Sequence, residues 1–281
     1  LCSFKLGGYY LLHALTQMGI ESYSGEYVYA RTLRDAILVF VKENIPENLE
    51  ELKNNNNKII IDMRDNFILE NGALHPDFIG RDIADYLIFP NRALLDKFLS
   101  INDTTSNCVV LYGFADPAIT SFFRRKGYKK ISRLQYCYFG FSHNLNLKYL
   151  ENISGLSNIE LIPLTESNFE ECMKKLYEFN MHIDLRSGKN DFRYKPLTKI
   201  LIAAQCASNI IIKKSPRVLE MLPENYPFLV EENNLESIMR KAAALFKKDE
   251  WEDALKVMEG IRKNFSFQNH INQFVNILDK L

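Results

Sequence analysis

Met181-His182-Ile183-Asp184-Leu185-Arg186, then Phe192-Arg193-Tyr194-Lys195-Pro196-Leu197-Thr198-Lys199-Ile200, then Ile210-Ile211-Ile212-Lys213 decide the fold of this chain. An apolar run of strand length ends in an arginine, and a polar loop with a glycine follows. Pro196 then opens a helix from Leu197 to Ala207 whose first turn carries Thr198 and Lys199. A β-branched run closes the unit. A strand, a helix and a second apolar strand in this order make a βαβ unit, which belongs in a parallel sheet covered on both faces.

The same alternation extends in both directions. After Lys213 come a short helix from Arg217 to Leu222 and three further helices, at Leu235–Lys247, Glu250–Lys263 and Phe267–Leu281. Before Met181 the pattern predicts strands at Gln135–Phe141 and Ile159–Pro163, with helices at Leu145–Ile153 and Ser167–Glu178. Further back lie strand candidates Leu1–Phe4, Ala36–Val41, Lys58–Asp62, Tyr86–Phe89 and Cys108–Tyr112, separated by helix candidates Tyr9–Met18, Asn48–Lys53, Pro76–Asp85 and Arg92–Leu99. Asn54–Asn57 reads as a loop tip. Glycine and proline in Tyr112-Gly113-Phe114-Ala115-Asp116-Pro117 interrupt this rhythm and mark a boundary. The predicted fold class is therefore α/β, with two Rossmann-like doubly wound domains, 1–115 and 116–281, facing a cleft, and a last helix that crosses back to the first domain.

A chain of 281 residues is long enough for two cores of this kind. Its 47% hydrophobic and 25% charged residues exclude disorder. Lysine plus arginine and aspartate plus glutamate each total 35, so no global field draws in nucleic acid, and any phosphate site must be local. Cys2, Cys108, Cys137, Cys172 and Cys206 are odd in number and widely spaced, with no CxxC pair, which points to buried free thiols in a reducing compartment. No apolar run approaches membrane-span length and no leader begins the chain, so a soluble cytoplasmic protein is expected. Leu1-Cys2-Ser3-Phe4 reads as the end of a strand that starts outside this sequence.

Four stretches bear chemistry. Gly7-Gly8 lies between a strand and a helix, where backbone amides approach an anion; a tight turn is the plainer reading. It has neither the GxGxxG spacing of dinucleotide folds nor the GK[ST] of a P-loop. Asp62-Met63-Arg64-Asp65 ends an apolar strand, with His75 further on, and either Asp65 or His75 could serve as a general base; a local Asp–Arg surface pair is the alternative. Arg186, Lys195, Thr198 and Lys199 bring cations, a hydroxyl and helix N–H groups to one strand–loop–helix junction, which suits a diphosphate. Lys213-Lys214-Ser215-Pro216-Arg217 precedes Glu220, a carboxylate placed to accept from a ribose or simply to favour a helix first turn.

In the order Arg186, Tyr194-Lys195-Pro196-Leu197-Thr198-Lys199-Ile200, Ala203-Ala204, Ile210-Ile211, Ser215-Pro216, Glu220 and Tyr226-Pro227, the chain resembles the donor domain of GT-B glycosyltransferases. The resemblance is to bacterial enzymes of surface-polysaccharide assembly, of capsule or lipopolysaccharide, in particular. It implies transfer of a sugar from a nucleotide-diphosphate donor to a hydroxyl of a glycan acceptor. Arg186, Lys195 and Lys199 would meet the diphosphate, Ser215 and Arg217 would line the loop, and Glu220 would take the ribose. Phe139-Gly140-Phe141-Ser142-His143 looks like the first strand and loop of that domain, which adds His143 to the donor residues, and Gly7-Gly8 looks like the acceptor-domain glycine loop. The paired-glutamate motif of many retaining members is absent, with Lys199 and Ile200 where its first glutamate is expected.

No Asp-x-Asp motif is present, so no catalytic metal is expected, and no cofactor beyond the nucleotide sugar as substrate. The run Arg124-Arg125-Lys126-Gly127-Tyr128-Lys129-Lys130, beside Phe122 and Phe123, could touch an anionic membrane or a lipid-linked acceptor, or be a solvated linker face. The rival to an enzyme is a non-catalytic nucleotide-sugar-binding or scaffold protein on the same fold.

Overall fold

Strands that are buried on both faces are apolar along their length, as Ile59–Ile61, Leu87–Phe89 and Ile210–Ile212 are. The computed structural model of the chain describes residues 8–25, 27–41, 49–64, 83–114, 116–117, 120–122, 132–140, 159–163, 169–184, 194–231 and 235–281. It divides into two units: Leu1–Gly113 with Asp191–Pro196 and Gln268–Leu281, and Phe114–Asn190 with Leu197–Phe267.

In unit 1, β1 (Ile37–Val41), β2 (Lys58–Asp62), β3 (Tyr86–Phe89) and β4 (Asn107–Val110) form a four-stranded sheet in the order β1-β2-β3-β4, parallel throughout. Its helices include α1 (Tyr10–Gln17), α2 (Tyr27–Ala30), α3 (Leu49–Asn54) and α4 (Arg92–Leu99). Leu52, Ile59, Ile61, Leu87 and Phe89 are fully buried in the core of this unit, and the Phe89 ring packs at 5.1 Å against that of Phe98 from α4. The start of α4 is fixed by Asn91, whose Oδ1 accepts from Leu94 N at 2.8 Å and whose Nδ2 donates to the Tyr194 carbonyl at 2.8 Å. The asparagine tract ends in a left-handed turn at Asn56, φ 60°, whose side-chain amide donates to Asp35.

In unit 2, β5 (Tyr136–Gly140), β6 (Ile159–Pro163), β7 (Met181–Asp184), β8 (Asn209–Lys213) and β9 (Leu229–Val230) form a parallel sheet in the order β6-β5-β7-β8-β9. Around it stand α5 (Phe169–Lys175) with a 3₁₀ turn at Leu176–Glu178, α6 (Thr198–Gln205), α7 (Pro216–Leu219), α8 (Leu235–Leu245) and α9 (Asp249–Asn264). The main core joins α6, α8 and α9 to β7 and β8 through Ile200, Ala203, Ile210, Ile211, Ala242, Trp251 and Met258. Tyr226 Oη accepts from Ile210 N at 3.0 Å, and Trp251 stacks edge-on against Phe228 and Phe246. The last helix, α10 (Phe267–Leu278), buries His270, Ile271, Phe274 and Ile277.

Lys58–Asp62, Tyr86–Phe89, Arg92–Leu99 and Ile159–Pro163 form over the predicted residues, the other predicted elements that are described move by a few residues at their ends, and α2 and β9 were not predicted. Residues 83–85 are turn rather than the end of the helix expected over Pro76–Asp85. The predictions at Leu1–Phe4 and Leu145–Ile153, and the rest of that over Pro76–Asp85, lie outside the described residues. No helix among the described residues is long and apolar enough to cross a membrane.

Candidate functional site

Strand order 2-1-3-4-5, which the second sheet adopts, reverses direction between its first and third strands, here β5 and β7. Open α/β sheets bind ligands outside the carboxyl ends of their strands at such a switch point. β5 ends there in Gly140 and β7 in Asp184.

Lys199 reaches this point from the first turn of α6. Its Nζ lies 3.4 Å from Asp184 Oδ1, 3.8 Å from the centre of the Tyr138 ring and 5.4 Å from that of Phe139. The Lys199 and Asp184 side chains are only 8% and 5% exposed, so this is a buried ion pair and not the solvated lysine that a helix first turn normally carries. Gly140 leaves room for it: with φ at +136°, a Cβ there would stand 3.6 Å from Lys199 Nζ and 3.3 Å from Tyr138 Oη. The cap of α6 is Leu197, which has no side chain to cover the first-turn N–H groups. An ammonium, an aromatic face, a side-chain-free backbone and a helix N-terminus thus meet at one strand end, a combination suited to an oxyanion.

Gly140→Ala is expected to destabilise unit 2 by about 1–3 kcal/mol, through a backbone region that side chains avoid and through crowding of Tyr138. Urea unfolding followed by the fluorescence of the single tryptophan, Trp251 of unit 2, measures this. An unchanged midpoint would show that the loop relaxes freely.

His182, also on β7, is buried beside the Phe139 ring, 6.2 Å between centroids. Neither ring nitrogen has a hydrogen bond of good geometry. Burial pushes its pKa from 6.5 to about 3, opposed by the Leu176 backbone and helped by the positive charge of Lys199.

Ser215, Arg217 and Glu220 follow β8, the neighbour of β7, at the same sheet end. Ser215 is the extended N-cap of α7, Arg217 is buried and Glu220 is the half-buried C-cap. Lys195 and Thr198 are half-buried in the run into α6. Gly8 stands in a π turn ahead of α1, in unit 1. Gly7, Asp65, His75, His143 and Arg186 lie outside the described residues. Sequence reasoning did not single out Tyr138, Gly140 as a packing position, or Asp184 as a partner. Alternation along β5 places residues 138 and 140 on one side of the strand, which was the available signal.

At the carboxyl end of the unit 1 sheet, Arg64 Nε donates to Asp62 Oδ2 at 2.6 Å, a local Asp–Arg pair as this stretch also admitted, but with Asp62 buried and not at the surface. Burial raises the Asp62 pKa, with Arg64 pulling it down. His270 on α10 donates from Nδ1 to the Tyr112 carbonyl at 2.8 Å. Burial and the nearby Arg64 charge push its pKa to about 3, against the opposing carbonyl. Among the described residues no group of three or more His, Cys, Asp or Glu could hold a metal ion.

No family model matches the chain, and no curated protein matches it. Solved structures do. HepE of Anabaena in complex with UDP-glucose superposes with a TM-score of 0.64 at 12% identity, over 96% of this chain and 88% of that one. A trehalose-6-phosphate synthase studied for glycosyl transfer with retention gives 0.64 at 9% identity, over 99% and 84%. The UDP-forming α,α-trehalose-phosphate synthase of Burkholderia vietnamiensis gives 0.61 at 9%, over 97% and 83%. At these identities the likeness is one of fold, and that fold is the GT-B type of glycosyltransferases, with parallel α/β units.

Proposed function

We propose that this chain is a glycosyltransferase that moves a sugar from a nucleotide-diphosphate donor to a hydroxyl of a glycan acceptor. The observation that carries this reading is the Lys199 ammonium held at the β5–β7 switch point beneath Gly140. HepE, of like fold, binds UDP and UDP-glucose, which supports a nucleotide sugar as the ligand. Lys199 with Lys195 and Arg186 would hold the diphosphate, Thr198, Ser215, Arg217 and His143 would complete its surroundings, and Glu220 would take the ribose. Gly7 and Gly8, in the glycine loop of the acceptor-side domain, would meet the donor. The rate would come from positioning and from stabilising the departing diphosphate, with no metal and no further cofactor.

An acceptor in bacterial surface polysaccharide, at the cytoplasmic side of a membrane, rests on the sequence pattern of residues 186–227 and the basic run 124–130. For an inverting reaction Asp65 or His75 would take the acceptor proton. His75→Ala is then expected to lower turnover far more than donor affinity, and equal losses in both would make His75 structural. The function itself is tested by a thermal-shift screen of nucleotide sugars and nucleoside diphosphates, followed by assay of nucleotide release. If none raises the unfolding temperature, the reading falls.

A further inference from the structure

Lys199 does not wait for an anion in bulk water. It already faces one inside the protein, the Asp184 carboxylate 3.4 Å away, and both groups are more than nine-tenths buried. A carboxylate this close to a phosphate site carries the same sign of charge as the ligand proposed for it. It must therefore act on the ligand as well as on Lys199.

We propose that Asp184 is the resting counter-ion of Lys199 and that it grades affinity by ligand charge, holding nucleoside diphosphates less tightly than the lysine alone would. This rests on the donor site proposed above and deepens it. Three features of the site support it. Asp184 closes β7 at the switch point, so an anion bound at Lys199 also comes close to Asp184. The Tyr138 ring under Nζ and the backbone of Gly140 beside it fix the ammonium in place, so the ammonium does not swing away to leave Asp184 behind. No carboxylate is needed to orient a lysine already packed this way, whereas its charge is felt strongly where water is scarce.

A nucleoside diphosphate carries one more negative charge than its sugar ester. Asp184 therefore disfavours the product more than the donor, which is the direction required for release after transfer. The residue acts through its charge on a ligand held by Lys199, and so determines specificity between ligands of different charge.

Asp184→Asn removes the charge and keeps the shape. Titration calorimetry of wild type and variant with a nucleoside, its diphosphate and its diphosphate sugar, the base chosen by the thermal-shift screen, should show a graded gain. Nucleoside affinity stays unchanged, the diphosphate binds about tenfold tighter, and the diphosphate sugar gains less. Asp184→Thr suits the strand and leaves an acceptor for Lys199, so it repeats the measurement should the asparagine not fold. A purely structural Asp184 would give equal losses for all three ligands, and that result overturns the inference while leaving the donor site standing. A uniform gain overturns it as well. Absence of diphosphate binding to wild type overturns the donor reading and this inference with it.

Discussion

Lys199→Ala is expected to destabilise unit 2 by about 3–5 kcal/mol, the cost of breaking a buried ion pair from one side. Read from sequence alone, a lysine in a helix first turn is solvated and alanine is harmless there. The 8% and 5% exposures of Lys199 and Asp184 reverse that expectation, because the truncation takes the Lys199 cation away from a buried carboxylate and opens a space over Tyr138. Removing both charges as Lys199→Met/Asp184→Leu should recover most of the loss, since paired buried charges replaced by apolar groups cost little. Binding is better read from Lys199→Gln, which keeps a donor toward Asp184. One charge-assisted contact is worth roughly 1.5–3 kcal/mol, so diphosphate affinity should fall by about one to two orders of magnitude while nucleoside affinity holds. Lys247→Ala, at an exposed position after α8, is the control and should change neither. Undiminished diphosphate affinity in Lys199→Gln would remove the donor site.

Acidification from about pH 6.5 toward 3 is expected to strip stability from unit 2 through His182. Its pKa in the native state is about 3, against an ordinary 6.5. Between these values the unfolded chain binds a proton that the native state refuses, so stability falls as pH falls, by about 1.4 kcal/mol per pH unit and on the order of 4–5 kcal/mol across the window. Trp251 fluorescence during urea unfolding at a series of pH values reads this for unit 2. His182→Leu, apolar and of similar bulk, should flatten the dependence by one proton, and an unchanged slope would show that another group titrates. In unit 1, His270 acts in the same direction, since burial and Arg64 lower its pKa too. Asp62 opposes it there: its raised pKa lets the native state take up a proton above 3.8, before the unfolded chain does.

Much of the fold was legible because parallel strands advertise themselves. Ile59-Ile60-Ile61, Tyr86-Leu87-Ile88-Phe89 and Ile210-Ile211-Ile212 are apolar runs too short for helices, set between amphipathic stretches. β9 escaped because two residues have no period, and α2 because a single turn is not distinguished from loop by pattern. At the candidate site, the position of Lys199 in the first turn of a helix after a strand was readable from Pro196 and the run that follows. Its burial was not. Whether a lysine lies in solvent or over Tyr138 depends on strand order, since β5 and β7 are neighbours through a topology in which β6 is wound to the outer side. Asp184 could be seen as the end of an apolar strand, but its partner lies fifteen residues on, beyond any local spacing rule. The same holds for His270, whose contact with the Tyr112 carbonyl joins residues 158 apart.

That last contact bears on how the protein is made. β1 to β4 leave the ribosome first, yet α10, with His270, Ile271, Phe274 and Ile277 as its buried residues, belongs to the same unit. Domains generally fold as units during synthesis, N-terminal ones first. Here the order is inverted: the second unit has all its residues once Phe267 has emerged, while the first waits for the last helix. Until α10 has emerged, the apolar surface that it covers on the nascent first unit stays open to a chaperone.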